Sequence, residues 1–116
     1  MYKYHKILEE PHHKYKIIDF RYYCDSSISI IDHFIDLKLK KDSTIRNLRF
    51  IAPRNISLEK GFPNISGFAI LNIKDSQLEG VSLEVMNDEP EYGELNFYAK
   101  NVIDLNKEEN KYLLKI

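Results

Sequence analysis

The chain has 116 residues, 43% of them hydrophobic and 30% charged, with a formal net charge of −1. That length supports one core-bearing domain over residues 1–116. The balance excludes the low-hydrophobicity signature of disorder and argues against a dedicated nucleic-acid binder of strongly basic type. Cys24 is the only cysteine, which excludes an internal disulfide and points to a reducing, cytoplasmic setting. The charge is uneven: residues 1–60 hold twelve Lys/Arg against eight Asp/Glu (+4), and residues 61–116 hold five against ten (−5).

The N-terminal stretch MYKYHKILEEPHHKYK is charged every few residues and has no apolar region of signal-peptide type. Its break at Glu10-Pro11-His12-His13 leads into YKIIDFRYY (15–23), a β-branched and aromatic run that predicts a strand. Asp25-Ser26-Ser27 punctuates. From Ile31 to Lys41 apolar residues alternate: Ile31, His33, Ile35, Leu37 and Leu39 share one face, and Asp32, Phe34, Asp36, Lys38 and Lys40 share the other. Period two predicts a strand, which would be free to pair across a two-fold axis if it lay at an edge.

Lys41-Asp42-Ser43 predicts a turn, and IRNLRFIA (45–52) the returning strand of a hairpin. The stretch PRNISLEKGFPNIS, with two prolines and a glycine, predicts loop. SGFAILNI (66–73), apolar on both faces, predicts a central strand. Val81, Leu83 and Val85 mark the next, and Leu95, Phe97 and Ala99 another that runs on through Val102 and Ile103. Tyr112, Leu114 and Ile116 close the series. About seven strands with turns roughly every ten residues predict a mainly β, antiparallel sandwich, roll or partly open barrel. A short helix fits only in the first dozen residues or in 25–35. The longest wholly apolar run, Phe68–Leu71, is far short of a membrane span, so no membrane partner is expected.

No motif names a chemistry. The four glycines form neither a dinucleotide fingerprint nor a phosphate loop, and no serine sits in a nucleophile elbow. His5, His12 and His13 with Glu9 and Glu10 lack the spacing of a metal site, so a solvated N-terminal segment is expected and no metal or cofactor. Cys24 and His33 are the available thiol and base; a buried thiol and a core histidine are the simpler expectation, and an internal pocket near them is the alternative that would carry a ligand or an enzyme. Lys38, Lys40, Lys41, Arg46 and Arg49 give the hairpin a basic character that suits phosphate contacts, but also guards an edge strand, which is the preferred reading, with no nucleic-acid partner.

The stretch MNDEPEYGE carries four carboxylates within 88–94. A turn needs Asn, Asp, Pro and Gly to set its backbone but not so many acids, and Tyr92 at its centre offers contact area at low entropic cost. Asp88, Glu89, Glu91, Tyr92 and Glu94 are therefore the expected partner-binding residues. The run FRYYCDSSISIIDHFIDLKL leading into LEGVSLEVMNDEPEYGELNFYAKNVI resembles the small immunity proteins encoded beside bacterial polymorphic or contact-dependent toxins. The resemblance implies a non-enzymatic protein that neutralises one cognate toxin, often a nuclease with a basic surface, by tight binding inside the producing cell. The near-neutral charge departs from the strongly acidic members that neutralise nucleases.

Overall fold

A computed structural model describes residues 3–24, 33–59, 62, 65–75, 79–89 and 94–107. Among them are nine strands: β1 (Lys3–Tyr4), β2 (Lys16–Tyr23), β3 (Phe34–Lys41), β4 (Thr44–Ile51), β5 (Arg54–Leu58), β6 (Ser66–Asn72), β7 (Leu83–Glu89), β8 (Leu95–Ala99) and β9 (Asn101–Asp104), with one 3₁₀ turn at His12–Lys14. They form two antiparallel sheets, ordered β1-β6-β7-β8-β5 and β2-β3-β4-β9, which are not closed into a barrel. The alternation read from the sequence is what builds the layer between them. Ile35, Leu37 and Leu39 of β3 and Leu48 and Phe50 of β4 turn inward from one sheet. Phe68, Ile70, Val85 and Phe97 do so from the other. Phe50 and Phe97 meet edge to face at 5.4 Å, tying the two sheets at their centre.

Lys41 pairs with Thr44, so the hairpin loop is the two residues Asp42 and Ser43. Asp42 takes φ 55°, the positive value that a tight two-residue loop needs for strands of right-handed twist. The strand predicted at Ile31 to Lys41 is found from Phe34 on, residues 25–32 lying outside those described. It is an inner strand, paired to β2 on one side and β4 on the other, so neither an open edge nor a two-fold contact is available to it, and its lysines guard no edge. Phe34 shares its face with Asp36, Lys38 and Lys40, as the alternation predicts. It lies on the outer face yet is buried, stacked on Tyr23 at 4.9 Å with the Arg49 guanidinium 3.8 Å over its ring.

Three other expectations change. The stretch predicted as loop contains β5, which pairs with β8 through an irregular register, with Asn55 at φ 56° where the pairing shifts. The run predicted as one strand from Leu95 through Ile103 is two strands in different sheets. The Ala99 carbonyl accepts the Ser82 N–H in one sheet, and the very next amide, Lys100 N–H, donates to Ile51 O in the other. The N-terminal segment is not merely solvated: β1 pairs with β6, and Leu8 and Tyr15 join the core. The strand predicted at Tyr112–Ile116 lies outside the described residues.

Arg46 fastens that N-terminal arm. Its guanidinium pairs with Glu9, donates to the Ile7 carbonyl at 3.0 Å and to the Asp104 carboxylate at 2.8 Å. Tyr15 O–H donates to Glu9 at 2.6 Å; its phenol is pushed up to about 12, by burial first and then by that carboxylate. One side chain thus links the arm, β4 and the end of β9. R46M should lower stability by about 2 kcal/mol, because Asp104 and the Ile7 carbonyl lose a charged donor in a mostly buried place. Urea unfolding measures the loss, and faster amide exchange confined to the arm would show where it arises.

Candidate functional site

The acidic stretch leaves the end of β7 and returns at β8. Asn87, which alternation places inward after Leu83 and Val85, is 5% exposed and does the work of a backbone clamp: its carbonyl oxygen accepts the Leu95 N–H at 2.9 Å and its amide donates to Ser66 O at 3.1 Å. The two ends of the acidic segment are therefore held together, and to β6, by a buried polar side chain. Asp88 follows, exposed, with its carboxyl over Gly67. Gly67 adopts φ 80°, so glycine is favoured there by conformation, and a Cβ would make the Asp88 carboxyl turn aside. Glu89 ends β7; Glu94 is half-buried and its carbonyl accepts the Glu59 N–H at 2.9 Å. Glu91 and Tyr92 lie outside the described residues. Sequence reading overlooked Asn87, although a polar residue in an inward phase just before a turn was there to be noticed.

Cys24 and His33 come together. They face each other at the end of the β2–β3 pair, one step beyond Tyr23 and Phe34, with Cys24 Sγ 3.3 Å from His33 Nε2. Cys24 is exposed and His33 half-buried, at the rim of a sheet instead of inside a sandwich. This corrects the expectation of a buried thiol with a core histidine. Tyr22, two residues before Cys24 and on the same face, completes the group. Partial burial, and then its hydrogen bond with Cys24, raise its phenol above the ordinary value.

His12 does not belong to the solvated segment expected of it. It is 1% exposed, with Nδ1 accepting the Ile70 N–H at 3.1 Å; Nε2 therefore carries the proton and donates to Leu8 O at 3.0 Å. His5 N–H donates to the Ile70 carbonyl, so imidazole and arm together take up the edge of β6 where β1 stops. With both nitrogens engaged, His12 has none to offer a metal. His13 is exposed. The basic hairpin is likewise spoken for in part: Arg49, 4% exposed, makes a two-pronged ion pair with Asp36 at 2.8 and 2.9 Å, and Arg46 is committed as above. On the outer face of the smaller sheet lies a shallow groove of ≈ 220 Å³ lined by Asp19, Arg21, Asp36, Lys38 and Asn47 among others. Among the described residues no helix is long and apolar enough to cross a membrane.

No family model matches the chain, and no curated protein or solved structure matches it.

Burial lowers the pKa of His12 below its ordinary 6.5, and burial with the neighbouring His12 and Lys74 lowers His5. The unfolded chain then takes up protons more readily than the folded one as pH falls past 6.5, so stability is full above that value and declines below it. Urea midpoints measured between pH 7.5 and 5.5 should fall in the wild type and fall less steeply in H12Q, His5 supplying what remains.

Proposed function

We propose that this protein acts by binding, as a non-enzymatic immunity protein that neutralises a cognate bacterial toxin in the cytoplasm of the cell that makes it. What supports the reading is the clamp at Asn87. An inhibitor needs charged contacts presented from a base that does not reorganise on binding, and the acidic stretch springs from two strand ends joined by a buried amide. Asp88, Glu89, Glu91, Tyr92 and Glu94 are the proposed contacts, the carboxylates steering association with a basic surface and Tyr92 supplying area.

The tagged protein should retain one stoichiometric basic protein from a lysate of its own cells and release it as salt rises. Replacing the acids together, D88N/E89Q/E91Q/E94Q, should leave the urea midpoint in place while slowing association with that protein about tenfold at low salt and flattening the salt dependence. Unchanged rates and salt dependence would remove these residues from the interface.

A second reading rests on the 3.3 Å contact of Cys24 with His33: an exposed thiol beside an imidazole is equipped to react with, or hold, a small electrophile at the sheet rim. H33Q should slow carbamidomethylation of Cys24 at pH 7 several-fold. An unchanged labelling rate would reduce the contact to packing.

A further inference from the structure

The edges of this sandwich are unequal. Among the described residues β1 has two residues, β9 four, and β5 five with a shifted register; short and irregular edges resist pairing with another chain. β2 has eight residues and, among the described residues, a neighbouring strand on one side only. A bulge between Ile17 and Asp19 sets its phase. Ile18 is the bulged residue; beyond it Phe20 and Tyr22 share the core-side face and Asp19, Arg21 and Tyr23 the outer face. Ile18 is 49% and Tyr22 48% exposed, and Asp19 and Arg21 are exposed beside them.

We infer that β2 pairs antiparallel with β2 of a second copy of this chain, about a two-fold axis at Phe20. Directly opposed residues of an antiparallel pair lie on the same face, so a dimer whose core faces are continuous must pair even positions with even and odd with odd, and its axis falls on a residue. An axis at Asp19 opposes two aspartates, one at Arg21 opposes two arginines, and one at Ile18 leaves Asp19 against an isoleucine. At Phe20 every position finds a complement. Asp19 faces Arg21 of the second copy and Arg21 faces its Asp19, while Ile18 faces Tyr22 twice over, covering the apolar side chains that β2 otherwise leaves in water. The in-chain register carries the alternation further: Arg49 neighbours Asp36, Asp36 neighbours Arg21, and Asp19 neighbours Lys38. Charges therefore alternate in sign along a row that crosses both copies, from Arg49 through Asp36 and Arg21 to Asp19 and Lys38 of the second copy.

Sedimentation equilibrium of the wild type from micromolar to sub-millimolar concentration should show the mass rising from 13.8 kDa to twice that value. D19R opposes like charges across the axis, as does R21D, and each alone should stay monomeric with its circular dichroism unchanged. Mixed one to one, the two variants set arginines of one chain against aspartates of the other and should recover the dimer as a heterodimer. A register check is independent of charge: the axis at Phe20 places position 20 of one copy opposite position 20 of the other, so oxidised F20C in a C24S background should form a disulfide between the two copies at that position, identified by peptide mass spectrometry. A wild type that stays at 13.8 kDa throughout overturns the proposal. So does a dimer indifferent to both reversals, or one in which the mixture fails to recover while the single variants remain folded.

Discussion

Phe50 and Phe97 meet at the centre of the molecule, one from each sheet, and the remaining structure serves to keep that apolar layer dry. Each sheet contributes inward residues at every second position, and a layer about two side chains thick holds only if neither sheet slips by one residue, since a slip would turn every inward side chain to water. Turns and register therefore matter as much as composition. The two-residue loop at Asp42-Ser43 sets β3 against β4, and the amides at the chain's crossing near Lys100 set β8 and β9 in different sheets without an intervening loop.

A sandwich of two sheets leaves open edges, and the N-terminal arm closes part of one. β1 covers only two residues of β6; beyond them His12 presents ring nitrogens where a neighbouring strand would present a carbonyl, and Leu8 and Tyr15 fill the space beneath. Arg46 holds the arm from the opposite sheet through Glu9, Ile7 and Asp104. The edge closed in this way is the one belonging to β6. The edge of β2 receives no such cover among the described residues, and that inequality is what singles it out as a place for a second chain.

Polar groups in this fold are used structurally wherever they are buried: Asn87 as a clamp, His12 as a carbonyl surrogate, Arg49 as the partner of Asp36 and the lid of Phe34. The chemistry left available is at the surface, in the acids after β7 and in the Cys24–His33 contact at the far end of the β2–β3 pair. Binding by a preorganised surface fits the first. The second owes its existence to register, because the pairing of Tyr23 with Phe34 carries the next residue on each strand into apposition.

By itself the sequence determined the class, the hairpin of β3 and β4, and the inward face of almost every strand, because alternation and turn chemistry are local properties of the chain. It also held a signal that went unread: the inward phase runs on odd numbers through Leu95, Phe97 and Ala99 and on an even one at Val102, a change of phase that marks the crossing between sheets. Only the tertiary structure decided which strands are edges, that His12 is buried while His13 is not, and that Cys24 meets His33. Each of these depends on which segments become neighbours in space, and a burial or an apposition made by residues far apart in the chain leaves no periodicity in either segment alone. The acidic stretch was legible as composition, whereas the buried amide that anchors it became visible only once Ser66, Asn87 and Leu95 were side by side.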